Sequence, residues 1–170
     1  SAQAGERSPN KYEGERVGGV MQGEGTYTFP NGDTYQGQWQ SGKQHGYGVY
    51  TASSGSVYEG EWQAGKKHGH GVYTASSGSV YDGQWQAGKK HGEGVFTSAS
   101  GGRLQGVWVN NEPNGPAIYD GPDGSHYEGD YADGVRAGQG ELHWPDGTVY
   151  VGAFAGGRQH GLVLVGETLE

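Results

Sequence analysis

The chain has 170 residues, among them 37 Gly, 12 Tyr and 5 Trp but no Cys, and its formal net charge is −8. The lack of Cys excludes disulfides and thiolate metal sites, and the acidic balance excludes nucleic-acid binding by neutralisation of phosphates. A thick aliphatic core is excluded too, because Leu, Ile, Val and Phe are scarce and aromatic rings must do the packing.

Residues 1–11 carry no pattern and read as a flexible N-terminal arm. No secretory leader is recognisable from Ser1 onward, and no run of about 18 apolar residues is present to span a bilayer. With the missing Cys, these features predict a cytoplasmic setting.

A 23-residue period starts at Tyr12. Its anchor recurs at Tyr35, Tyr58, Tyr81, Leu104, Tyr127 and Tyr150 without an insertion. A Gly follows each anchor by two residues, and four residues on stand Arg16, Trp39, Trp62, Trp85, Trp108, Tyr131 and Phe154. Eleven residues past every anchor is another Gly, and fifteen past it stand Tyr27, Tyr50, Tyr73, Phe96, Tyr119, Leu142 and Val165.

Twenty-three glycine-rich residues suit two short strands and two turns rather than helices. In the first strand, Y-x-G-x-W, alternation puts Tyr, Gly and Trp on one face and polar residues such as Glu59 and Glu61 on the other. A turn such as QAGKKHG follows. The second strand, G-x-G-V-Y-T, returns with Tyr73 on one face and Val72 on the other, and S-S-G-S, P-N-G-D or P-D-G-T turns the chain into the next repeat. Each repeat is therefore a β-hairpin, with glycine leaving room for neighbouring rings. Seven hairpins at about 10 Å each predict an all-β, elongated, single-layer antiparallel sheet roughly 70 Å long.

The fifth repeat, LQGVWVNNEPNGPAIYDGPDG, departs most from the pattern: it lacks the anchor Tyr, the turn Gly (Asn111) and the basic residues. It reads either as drift or as a bend. From here on the chain is acidic: residues 112–170 hold ten acids and two Arg, whereas residues 1–111 hold nine of each sign. The segment Gly161–Val165 is apolar on both faces and predicts either a terminal cap or an open edge able to pair with another chain in self-association. Residues 166–170 form a C-terminal tail.

Y-x-G-x-W followed by G-K-x-H-G-x-G, repeated in register over residues 12–165, resembles the MORN (membrane occupation and recognition nexus) repeat. The resemblance implies tandem β-hairpins in one layer and a scaffold rather than an enzyme, with protein partners gripped on the aromatic side or, alternatively, phospholipid bound. K-Y-E-G-E-R and F-P-N-G-D-T-Y-Q-G, within residues 11–37, are similar to the start of the MORN proteins of the ciliary radial spoke head. That similarity implies a cytoskeletal location in the axoneme of a cilium or flagellum.

Two candidate surfaces follow. The first is the aromatic face: Tyr35, Trp39, Tyr58, Trp62, Tyr81, Trp85, Trp108, Tyr127, Tyr131, Tyr150 and Phe154. These residues are either the core or a groove for an extended or helical segment of a partner protein, because one layer leaves this face uncovered. The second is a ridge of turns bearing Lys43, His45, Lys66, Lys67, His68, Lys89, Lys90 and His91, either a solvated rim or a docking strip for anionic lipid headgroups. The histidines would lie about 10 Å apart, too far to share a metal ion. No cofactor and no catalytic set are expected, since the serines fall in turns and no phosphate loop is formed.

Overall fold

The computed structural model describes residues 10–161 and 164–165. Every regular element among them is a strand. In chain order these are β1 (Lys11–Val17), β2 (Val20–Thr28), β3 (Thr34–Gln40), β4 (Lys43–Thr51), β5 (Val57–Gln63), β6 (Lys66–Thr74), β7 (Val80–Gln86) and β8 (Lys89–Thr97). They continue as β9 (Arg103–Val109), β10 (Glu112–Asp120), β11 (His126–Ala132), β12 (Val135–His143), β13 (Thr148–Ala155), β14 (Arg158–His160) and β15 (Leu164–Val165).

The strands fall into two compact units. The first holds the described residues up to Gly78 together with Trp85–Gly88. Within it β1 to β6 pair antiparallel in chain order. The second holds Ser79–Gln84 and the described residues from Lys89 onward. Within it β8 to β13 pair the same way, and β14 and β15 both pair with β13. The fold class is thus all-β and antiparallel, a meander of hairpins in one layer, as the repeat predicts.

The hairpin turns explain how strands of such glycine-rich sequence are directed. Ala64 and Gly65 have φ of 49° and 81°, and Asp133 and Gly134 have 49° and 87°. Two consecutive positive φ angles make a type I′ turn, whose twist matches that of the flanking strands. In the fifth repeat Asn110 and Asn111 adopt 49° and 74°. Asn tolerates the left-handed region through local hydrogen bonding of its side chain, so the lost Gly does not open the turn. The repeat keeps both strands and their pairing, which favours drift over a bend.

A bulge is the second feature of the first, second, third, fifth and sixth hairpins. Gly60 pairs Gly71 and Trp62 pairs Lys67, so Glu61 alone faces His68, Gly69 and His70. Gly69 takes φ +60°, and the Glu61 carboxylate accepts the His70 N–H at 2.7 Å. The G-K-x-H-G-x-G signature is therefore the sequence of a capped β-bulge.

Lys11, assigned above to the arm, already pairs with Thr28 in β1. The rest of the arm, residues 1–9, and the tail, 166–170, lie outside the described residues, as do Leu162 and Val163 of the apolar terminal segment.

Candidate functional site

The anchor tyrosines lie along the sheet rather than standing out from it. The Tyr58 ring crosses Gly71 on the neighbouring strand, where any Cβ would run into its phenol. Its hydroxyl donates to the Glu61 carbonyl, 2.8 Å away, at the residue the bulge leaves opposite three others. The same bond, from anchor hydroxyl to the carbonyl three residues on, is made by Tyr12 (2.7 Å), Tyr35 (2.9 Å), Tyr81 (3.0 Å), Tyr127 (2.8 Å) and Tyr150 (2.7 Å). It gives each buried phenol the partner that burial demands.

The tryptophans join successive repeats. The indole N–H of Trp39 donates to Gly25 O (3.0 Å), Trp62 to Gly48 O (3.2 Å), Trp85 to Gly71 O (3.0 Å) and Trp108 to Gly94 O (3.2 Å). Indoles also pack edge-on against the anchor of the preceding repeat: Tyr35–Trp62 at 5.2 Å, Tyr58–Trp85 at 5.3 Å and Tyr81–Trp108 at 5.3 Å between centroids. Phe154 takes this place against Tyr127, at 5.1 Å, without the hydrogen bond.

Of the two readings of the aromatic row, packing is therefore the one the geometry realises. Tyr35, Tyr58, Tyr81, Tyr127 and Tyr150 are fully buried, and Trp39, Trp62, Trp85, Trp108 and Phe154 nearly so. Burial pushes the Tyr81 and Tyr127 phenols up to about 12 and raises those of Tyr35 and Tyr58 further. Only Tyr131, half-buried, keeps appreciable exposure among the eleven residues of the expected face. The accessible rings are those of the second strand of each hairpin, Tyr27, Tyr50, Tyr73, Phe96 and Tyr119, joined by Phe29, all half-buried. In the first unit Tyr27, Phe29 and Tyr50 follow one another at 4.6 and 5.8 Å, and Phe29, Pro30, Asn31 and Tyr50 line an open depression of about 620 Å³. The sequence signals this second row through its period, but strand alternation gives the face of a ring and not its depth.

The basic ridge also resolves differently from expectation. Lys43, Lys66, Lys89 and His68 are exposed, and His45 and His91 are half-buried. Lys67 and Lys90 leave the ridge: they turn to the aromatic face and enter cages of three rings. The Lys67 ammonium stands 5.2, 5.0 and 5.0 Å from the centroids of Tyr58, Tyr73 and Trp85. That of Lys90 is 5.2, 5.3 and 5.4 Å from Tyr81, Phe96 and Trp108. These are cation–π distances. Burial holds the Lys90 ammonium below its usual pKa. In the sixth repeat Arg136 lies 4.7 Å above Tyr127. The bulge register decides which lysine of each pair turns inward, as the pairing of Lys67 with Trp62 illustrates, and the doublet K-K alone does not reveal it.

Where the anchor is Leu104, no phenol crosses the next strand, and the position held by Gly71 or Gly94 elsewhere is the buried Ala117. The two departures compensate each other in volume.

Among the described residues no group of His, Asp or Glu is arranged to hold a metal ion, and no helix is long and apolar enough to cross a membrane. What these residues offer for binding is rings, backbone edges and charges.

Two of the solved structures that the chain matches are domains in complex with peptide segments. The TCP domain of SAS-4 (dCPAP) from Drosophila melanogaster, in complex with a proline-rich motif of Ana2 (dSTIL), superposes with a TM-score of 0.50 at 14% identity, covering 76% of this chain and 71% of that one. The TCP10 domain of CPAP from Danio rerio, in complex with a peptide of STIL, gives a TM-score of 0.37 at 13% identity over 84% of each chain. A search of curated proteins gives no match. The family model described as MORN repeat matches residues 12–34, 35–57, 58–80, 81–103, 105–126, 127–149 and 150–162. With seven matched repeats covering nearly all of its length, the chain belongs to the MORN-repeat family.

Proposed function

We propose that the chain is a non-catalytic scaffold that holds an extended segment of a partner protein against the half-buried rings of its aromatic face. The observation that carries this reading is the run Tyr27, Phe29, Tyr50 and Tyr73: four half-buried rings, in the first unit, on a sheet face over which the described residues lay no second layer. Such rings suit a proline-rich or otherwise extended peptide, which loses little conformational freedom on docking. The fly TCP domain, a similar fold, takes a proline-rich motif, which supports the same mode here. The setting we favour is a cytoskeletal assembly in the cytoplasm, specifically the radial spoke head of the ciliary axoneme, on the resemblance of residues 11–37.

Trp62 and Trp85 are part of the packing, so the ring variants that test the surface are Tyr73→Ser and Phe96→Ser. Affinity capture from a cytoskeletal extract, with thermal melting to verify the fold, should retain a defined set of proteins on the parent chain. The double ring variant should lose them, and the Lys66→Glu/Lys89→Glu variant should keep them. Loss on charge reversal with retention by the ring variant would contradict the proposal and return the Lys/His ridge to first place.

A further inference from the structure

On the sheet face opposite the aromatic rows, strand pairing in the second unit brings four side chains into one row. Arg103 of β9 pairs with Asp120 of β10, Asp120 with His126 of β11, and His126 with His143 of β12. Two residues along the same strands, Glu128 pairs with Glu141. Residues directly opposite, and those two apart on one strand, share a face and are neighbours on it. The imidazole centres of His126 and His143 are 6.2 Å apart, with their planes at 62°. Neither histidine belongs to the basic ridge.

Each ring is held by its own carboxylate, and on a different nitrogen. His126 Nδ1 lies 2.6 Å from Asp120 Oδ1, and His143 Nε2 lies 2.5 Å from Glu141 Oε1. An ionised carboxylate only accepts, so the nitrogen facing it carries the proton. In the neutral imidazole this leaves the lone pair on Nε2 of His126 and on Nδ1 of His143. Carboxylates hold the histidines of metal sites in this way, fixing the tautomer and raising the basicity of the nitrogen that binds. Two imidazoles on one zinc ion, each through a nitrogen at about 2.0–2.1 Å, have ring centres roughly 5–6 Å apart. The observed 6.2 Å stands at the upper end of that range. Both side chains are partly exposed, at 39% and 44%, so they can turn toward a shared ion without disturbing the core.

We propose that His126 and His143 bind a divalent transition-metal ion, for which zinc is the best match, with Asp120 and Glu141 orienting the two rings. Imidazole nitrogens suit zinc and its neighbours, whereas calcium and magnesium take oxygen ligands. Among the described residues no group of three His, Asp or Glu side chains is in place around an ion, so the histidine pair is the anchor. Glu128, two residues from His126 on the same face, and water are left to complete a four-coordinate ion. An ion held there would tie β11 to β12 through side chains as well as backbone. The site lies on the face opposite the aromatic rows and does not depend on the function proposed for them.

The test is a titration of zinc chloride into the full chain at neutral pH, read by calorimetry and by the ring nitrogen signals of the histidines in NMR. Calcium chloride is the control for binding by carboxylates alone. Zinc should bind with the largest nitrogen shifts at His126 Nε2 and His143 Nδ1. Asp120→Asn, which leaves both imidazoles in place, should weaken binding about tenfold, and His126→Gln or His143→Gln should weaken it further. Thermal melting without zinc verifies the fold of each variant, and added zinc should raise the melting temperature of the parent but not of the histidine variants. Zinc binding that survives both histidine variants, or shifts confined to His45, His68, His70, His91 or His160, would overturn the inference. Calcium binding as tight as zinc, or no response at millimolar zinc, would overturn it too.

Discussion

A phenol lying flat across a glycine is the contact on which each repeat is built. At Gly71 a methyl group would meet the Tyr58 phenol, so Gly71→Ala should cost about 2 kcal/mol by overpacking. The fifth repeat offers the converse experiment. Leu104→Tyr alone forces a ring onto Ala117, whereas Leu104→Tyr with Ala117→Gly recreates the geometry of the other repeats. In a double-mutant cycle read by chemical denaturation, we expect the pair to be more stable than the sum of the singles by about 1–2 kcal/mol. The same burial sets the response to alkali. A Tyr81 or Tyr127 phenol near 12 stays neutral in the fold, while in the unfolded chain it ionises near its ordinary value of 10.0. Their contribution is fully present below pH 10 and fades as pH rises toward 12, because the unfolded chain releases these protons first. Phenolate absorbance of these residues should therefore rise together with loss of the strand signal in circular dichroism; ionisation well ahead of unfolding would contradict their burial.

Strands, turns and bulges meet different demands. The turn Gly88 has φ +83° and open space around the position of a Cβ, so a substitution there isolates the backbone cost. Gly88→Ala should cost about 1–2 kcal/mol, and Gly88→Asn distinctly less, because Asn already serves at Asn111. The latch between hairpins is tested by Trp62→Phe, which keeps a ring but removes the bond to Gly48 O. A loss of about 1 kcal/mol is expected, with the strands retained, as the seventh repeat keeps them around Phe154. Larger loss would mean that the indole's second ring, rather than its N–H, holds the repeats together.

Over the whole molecule, stability should behave as a sum of nearest-neighbour contributions. Each indole latch reaches one repeat back, and so does each turn bond, such as Gly65 N–H to Gln44 O at 3.0 Å. This locality is also why the fold was legible in the sequence: an unbroken 23-residue period with alternating faces leaves little choice but hairpins in chain order. The working surface was less legible. Alternation assigns Tyr58 and Tyr73 to one face but does not say that the first lies flat beneath its neighbours while the second remains half open. Nor does the doublet Lys66-Lys67 reveal that the second lysine turns into the rings, since that follows from the bulge opposite Glu61. The central claim is that the half-buried second row, and not the buried anchors or the polar face, meets the partner. Hydroxyl-radical footprinting of the chain, free and bound to a captured partner, tests it most directly. Protection of Tyr50, Tyr73 and Phe96 on binding, with no change at the already shielded Tyr35 and Tyr58, is the expected result. Protection confined to Tyr47, Ile118 and Val151, exposed on the opposite face, would contradict it.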